Sequence, residues 1–332
     1  MYRGDTMTRG TTLGRSNLAV PRLGVGAMTW GDPSGRARWT PAKLAYAGGP
    51  ASRDEEQRAF DASVAAGATL FDTAEMYGAG ASERRLGELA QGRDVLIATK
   101  FPPNMLSRAD AMPRALERSL ELLRRTTVDL YMHHYPSRWV SIPQLMNLMA
   151  DAVGQGKVRA VGVSNYSAAQ MRLAHAVLAD RGVPLASNQV EYSLLHRQPE
   201  SDGVLDACRE LGVTLIANQP LANGALTGKF VAGARPSGFR RFMPRFRGKE
   251  REAVTPVVLL LREIGEAHGR SPAQVALRWL IENALVLPIP GAKNGRQAAD
   301  NAGALAFWLS PTEIEALDRA TTAWRGPRRT TG

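Results

Sequence analysis

Leu23-Gly24-Val25-Gly26-Ala27-Met28 is the stretch on which the fold turns. A short apolar run carrying two glycines resembles the start of G-x-G-x-x-G, the turn that binds a dinucleotide where the first strand of a doubly wound sheet meets its helix. Here the third glycine's place is taken by Thr29, and no helical pattern follows promptly. Residues 29 to 51 instead form a long segment rich in Gly, Pro and Trp. The phosphate turn that a doubly wound sheet needs is therefore missing, and a closed barrel is the better expectation.

The rest of the chain supplies the parts of such a barrel. Strand patterns are expected at Leu23–Ala27, Thr69–Asp72, Val95–Lys100, Val128–His134, Ala160–Ser164, Ala186–Glu191, Thr214–Asn218 and Val286–Ile289. Between them lie amphipathic stretches at Asp54–Ala66, Ser82–Ala90, Arg108–Leu123, Ile142–Val153, Ala168–Leu178, Gly203–Leu211 and Pro256–His268. Ser52 with Glu55 forms a capping box before the first of these. Gly67-Ala68 and Gly212-Val213 end helices on glycine and lead straight into strands. Alternating β and α elements around one core predict an α/β fold, a (β/α)8 TIM barrel. Residues 10 to 21 are expected to form a hairpin closing its N-terminal end, and Ser310–Ala323 a C-terminal helix.

With 332 residues, 44% of them hydrophobic, the chain is long enough for one large core, and it reads as a single domain over 1–332 with its core at about 11–322. No run of about 18 apolar residues exists to span a bilayer, and the first ten residues lack the apolar centre of a secretory signal. Cys208 is the single cysteine, which excludes an internal disulfide and argues against a thiol-ligated metal. No metal is expected, and a cytoplasmic location is. The formal charge of +11 raises the question of nucleic acid. Most of it is arginine spread along the chain, but residues 235–251 gather Arg240, Arg241, Arg245, Arg247 and Lys249 among Phe239, Phe242 and Phe246. Such a segment suits single-stranded nucleic acid or the phosphates of a dinucleotide. Without an accompanying recognition motif, the nucleic-acid reading is set aside. Lysine is scarce: only Lys43, Lys100, Lys157, Lys229, Lys249 and Lys293 occur. A chain that prefers arginine keeps lysine best where a compact ammonium with an adjustable pKa is needed.

Catalytic groups of a barrel sit at the C-terminal ends of its strands. Read in order, those ends give Asp72, Tyr77 in the following loop, Lys100 and His134. Each alone fits a structural role: Asp72 a helix cap, Lys100 a snorkelling strand end, His134 a satisfied core histidine. Together they are not what a core would choose, because buried Asp and Lys are costly unless paired.

These residues fall within motifs that resemble those of the aldo-keto reductase family. Phe71-Asp72-Thr73-Ala74-Glu75-Met76-Tyr77-Gly78 with Ser82-Glu83, Ile97-Ala98-Thr99-Lys100 and Asp129-Leu130-Tyr131-Met132-His133-His134-Tyr135-Pro136 are similar to its signature segments. So are Gly156-Lys157-Val158-Arg159, Gly162-Val163-Ser164-Asn165, Asn188-Gln189-Val190-Glu191-Tyr192-Ser193 and Pro290-Gly291-Ala292-Lys293 with Asp300-Asn301. The resemblance runs in order through residues 11 to 322 and is nearest to bacterial and plant-plastid members with a long first βα loop. It implies NADPH-dependent reduction of an aldehyde or ketone of a small molecule, with Tyr77 as general acid, Lys100 stabilising its phenolate, Asp72 holding the lysine and His134 orienting the carbonyl oxygen. His133 is expected to pack between strand and helix.

The resemblance also implies cofactor contacts. Ser164, Asn165 and Gln189 belong at the nicotinamide carboxamide, Lys229 and Arg240 at the pyrophosphate, and Lys293, Gln297, Asp300 and Asn301 around the adenosine. Lys293 favours the 2′-phosphate of NADP(H). Met28, Asn218, Pro220, Leu221 and Gly291 complete that set. Trp30 and Tyr135, with Met76, Arg138 and Tyr192, are expected at the mouth of the substrate pocket. One departure stands out. Where the family carries an aromatic ring that stacks on the nicotinamide, this chain reads Ala217-Asn218-Gln219-Pro220-Leu221-Ala222. An alternative function is an NADPH-binding redox sensor or regulatory subunit with slow turnover. A homo-oligomer is compatible with either.

Overall fold

The computed structural model describes residues 10–32, 52–102, 111–137, 139–231, 234–236 and 238–326. Two short strands, β1 (Thr11–Thr12) and β2 (Ala19–Val20), pair antiparallel as the expected hairpin. The remaining strands are β3 (Val25–Gly26), β4 (Leu70–Asp72), β5 (Leu96–Phe101), β6 (Val128–His133), β7 (Val158–Ser164), β8 (Leu185–Glu191), β9 (Thr214–Asn218) and β10 (Val286–Pro288). They form one parallel sheet in sequence order. Its two edges meet: Gly24 N–H donates to Pro288 O and Gly26 N–H to Pro290 O, each at 3.0 Å, and Gly26 bridges Gly291 in parallel. The sheet is thus a closed ring.

That closure explains the glycines of the opening stretch. A Cβ on Gly24 would lie 2.9 Å from Ile289 Cγ2 and 3.1 Å from Leu70 O, and one on Gly26 would lie 3.1 Å from Ile289 O. The pair lets neighbouring backbones approach where the barrel shuts.

The outer helices are α1 (Arg53–Ala65), α2 (Ala81–Leu89), α3 (Ala111–Leu123), α4 (Ile142–Gly154), α5 (Ala168–Ala179), α6 (Val204–Leu211), α7 (Gly248–His268), α8 (Pro272–Glu282), α9 (Gly295–Ala302) and α10 (Pro311–Ala320). The Ser52–Glu55 capping box is present on α1. Three differences from the sequence reading have physical causes. Helix α7 begins eight residues before Pro256, which sits inside it rather than at its start. Helix α8, absent from the expected stretches, is buried from Ala273 to Ile281 and places Gln274, Arg278 and Glu282 along one face; its capping box, Ser271 with Gln274, and Pro272 at the first turn mark its start. Helix α9 is short and polar, and Asn294 caps it. The expected extension of α3 back to Arg108 and most of the segment 29–51 lie outside the described residues.

Inside the ring, Leu70, Ala98, Leu130, Met132, Ala160, Ala186, Ile216, Leu287 and Ile289 form an apolar floor that the hairpin plugs from below with Leu13, Leu18 and Val20. The larger cluster lies between strands and outer helices and contains Cys208, buried and unpaired. Among the described residues, no helix is long and apolar enough to cross a membrane.

Candidate active site

The site lies directly above the floor, because successive residues of a strand alternate between ring interior and helix layer. Two residues beyond Leu70 and Ala98 stand Asp72 and Lys100, both interior and both buried. Lys100 is fully buried, and each of its three N–H groups has an acceptor: Asp72 Oδ1 at 2.7 Å, Thr73 O at 2.8 Å and Tyr77 Oη at 3.4 Å. Its ammonium also lies 4.9 Å from the Tyr77 ring centroid. Burial pulls the Lys100 pKa below the ordinary lysine value, and the Asp72 carboxylate, aided by Glu83, works against that.

Tyr77 owes its position to a tight turn. Its N–H donates to Ala74 O at 3.0 Å, and Gly78, Ala79 and Gly80 then follow in the left-handed region to deliver the chain into α2. Ser82 braces that turn: its hydroxyl lies 2.7 Å from Thr73 Oγ1 and donates to Ala27 O at 2.8 Å. The next residue, Glu83, is fully buried and accepts from Thr99 Oγ1 at 2.6 Å, so both polar residues of the Ser82-Glu83 pair face inward from α2. Burial raises the Glu83 pKa.

His134 follows β6 and sets its ring edge-on to Tyr77, with centroids 5.8 Å apart at 84°. Burial, Lys100 and His133 push its pKa down to about 2, so the ring is neutral. Its Nδ1 is buried with no hydrogen-bond partner among the described residues. With the ring proton placed on Nε2, Nδ1 is an acceptor and Nε2–H is a donor. His133 points the other way: its Nδ1 lies 2.8 Å from Tyr166 Oη, its ring stacks on Phe101 at 5.8 Å, and burial lowers its pKa to about 4. The two adjacent histidines thus separate as expected.

Ser164, Asn165 and Gln189 come together at the ends of β7 and β8. Ser164 Oγ and Asn165 N–H both donate to Gln189 O at 2.9 Å. Asn165 adopts φ 60°, a conformation asparagine tolerates better than most residues. Its Nδ2 donates to His134 O at 2.9 Å and to Ser164 Oγ at 3.0 Å. Gln189 Nε2 donates to Asp72 Oδ2 at 2.8 Å, a bond not expected from the sequence. Met28 is half-buried two residues beyond β3. Asn218 is partly exposed at the end of β9, followed by Pro220 and Leu221, with Gln219, Ala222 and Asn223 all at positive φ.

Lys229, Arg240 and Lys293 converge from the segments after β9 and β10. Burial lowers the pKa of both lysines first; Arg240 then acts on each, and Lys229 acts on Lys293 as well. Cations that depress one another in this way lie near enough together to repel. The turn presenting Lys293 is firmly built. Lys293 N–H donates to Gln297 Oε1 at 2.9 Å and Asn301 Nδ2 to Gly291 O at 3.3 Å, while Asp300 Oδ1 accepts from Ser271 Oγ at 3.0 Å. Gln297, Asp300 and Asn301 therefore hold the turn itself.

At the expected pocket mouth, Tyr135 stacks on His134 with centroids 4.6 Å apart and stays half exposed, as does Met76. Trp139, which the sequence reading passed over, is 64% exposed close by in the chain. Trp30 and Tyr192 are placed differently from expectation. Trp30 is 1% exposed and its indole N–H donates to Ala292 O at 2.8 Å, bracing the turn before Lys293. Tyr192 is buried against Trp279, and its hydroxyl donates to Glu200 Oε1 at 2.9 Å. Both rings are consumed by packing. Arg138 lies outside the described residues. Part of the basic segment packs down: Arg245 pairs with Glu191 at 3.2 Å, Arg251 donates to Phe230 O at 3.3 Å and Phe246 packs on Phe230, while Arg241, Phe242, Arg247 and Lys249 stay exposed.

The chain matches the aldo/keto reductase family over residues 22–322. It is 34% identical to the chloroplastic pyridoxal reductase of Arabidopsis thaliana, over 91% of this chain and 84% of that one. It is 40% identical to an uncharacterized oxidoreductase of Mycobacterium tuberculosis, over 92% and 91% respectively. Among solved structures, an aldo-keto reductase from Klebsiella pneumoniae in complex with NADPH superposes with a TM-score of 0.72 at 30% identity, covering 97% of this chain and 98% of that one.

Proposed function

The chain belongs to the aldo/keto reductase family, and from that premise we propose that it reduces an aldehyde or ketone of a small molecule to the alcohol with NADPH. The observation that carries the reading is the full use of the Lys100 ammonium by Asp72, Thr73 O and Tyr77 Oη beside a neutral His134. Lys229, Arg240 and Lys293 fit the phosphates of NADPH, and Asn165 and Gln189 fit its carboxamide. When bound, the nicotinamide supplies hydride to the carbonyl carbon.

The chain's own residues manage the proton. His134 Nε2–H donates to the carbonyl oxygen and aims it at Tyr77, whose hydroxyl hands over its proton as charge develops on that oxygen. A free phenol titrates near pH ~10, too high to act alone as acid and base near neutrality. Lys100, held by Asp72, stabilises the phenolate left behind. Since His134 is neutral down to about pH 2, it is a donor throughout the working range and does not itself gate the pH profile. Met76, Tyr135 and Trp139 give the substrate an exposed apolar approach.

A panel of carbonyl compounds, pyridoxal included because a relative bears that name, assayed for NADPH oxidation tests the proposal. Tight NADPH binding with no turnover on any compound would turn the reading toward a redox sensor.

A further inference from the structure

Gln189 and Asp72 stand on β8 and β4, on opposite sides of the ring, and their buried side chains meet across its interior at 2.8 Å. The Asp72 carboxylate is thereby held on both oxygens, by the Lys100 ammonium on Oδ1 and by the Gln189 amide on Oδ2. A carboxylate only accepts, so the amide presents its NH2 to Asp72 and turns its carbonyl Oε1 away. That orientation leaves an acceptor for the N–H of a carboxamide on the cofactor side.

We propose that Gln189 is a positioning residue for the proton chemistry, controlling through Asp72 how much of the Lys100 charge reaches Tyr77. This rests on the reading of Tyr77 as the acid. Without the amide, Asp72 Oδ2 is a buried acceptor with its partner gone, and the carboxylate draws harder on the proton of Lys100. An ammonium shared more fully with Asp72 offers less to Tyr77 Oη at 3.4 Å, and Tyr77 then keeps its proton to higher pH. The other ionisable groups near the pair stay as they are. His134 is neutral, Glu83 is bound to Thr99 on the α2 side, and Glu75 is paired with Arg118 at 2.6 Å.

The test is Gln189→Met, close to glutamine in size but without the donor. Phenolate absorbance is titrated in the full chain, with and without an added Tyr77→Phe change, so that the difference isolates Tyr77 with no cofactor or substrate present. The Tyr77 midpoint is expected to rise by about one pH unit, the scale of a lost charge-stabilising contact. In the loaded enzyme, the acid limb of alcohol oxidation should move with it. An unchanged midpoint in a folded variant, even one that binds NADPH poorly, overturns the proposal and leaves Gln189 a cofactor contact alone. Should Gln189→Met fail to fold, Gln189→Asn, whose amide is too short to span the bond, is held to the same outcomes. Failure of the parent to reduce any carbonyl would count against the proposed function, while the titration would still decide the role of Gln189.

Discussion

The floor and the rim of this barrel are built on the same strands and differ by a step of two residues. Leu70 gives way to Asp72, Ala98 to Lys100, Leu130 and Met132 to His134, and Ala160, past Gly162, to Ser164. Both layers are buried. At the floor burial is favourable for every side chain, and shape alone decides what fits. At the rim burial is costly, and it is tolerated because the polar groups are matched to one another: Lys100 to Asp72, Thr73 and Tyr77, Asp72 to Gln189, Ser164 to the Gln189 carbonyl. The floor therefore fixes where the rim stands, and the rim fixes what it does.

That division separates stability from chemistry, and it is open to breaking. The largest effect is expected at the floor. Leu130→Ala removes a fully buried side chain and should cost about 2–5 kcal/mol of stability, read by denaturant unfolding, while activity per folded molecule is retained. Lost activity without lost stability would show that the two layers are not separable. Next comes the cation group outside the rim. Lys293→Ala should weaken NADPH by about tenfold or more and NADH far less, because only NADPH carries the additional phosphate dianion. Equal losses in the two titrations would remove Lys293 from that role. The smallest effect concerns Asn218, on the strand above Ile216. Asn218→Tyr should tighten NADPH several-fold, in line with about 1 kcal/mol for a ring stack. Weaker binding by a folded variant would mean that Asn218 makes its own contact and that this part of the rim is organised differently from the family pattern.

Most of the rim was legible in the sequence because strand ends are marked twice, by the period-two pattern that precedes them and by ionisable residues that an apolar core would not accept. Asp72, Lys100 and His134 satisfied both tests, and Tyr77 followed from its motif. Contacts across the ring were not legible. Alternation tells which face of a strand a residue occupies, not which side chain it meets on the far wall, so the bond from Gln189 to Asp72 could not be read. Large rings misled for a related reason: Trp30 and Tyr192 stand near strand ends, but their polar atoms are bound to Ala292 and Glu200, and their faces are packed. Helix α8 is marked in the sequence as well, by Ser271, Pro272 and Gln274 at its start and by Gln274, Arg278 and Glu282 recurring every four positions.

Tyr77, its phenolate stabilised by Lys100, is the proposed acid of a carbonyl reduction. Replacing it by phenylalanine and measuring both NADPH affinity and turnover on whichever carbonyl the parent reduces best tests that claim directly. Nearly intact NADPH binding is expected, with turnover reduced by at least about a hundredfold, the scale of a lost general acid. Parent-like turnover in Tyr77→Phe would contradict it.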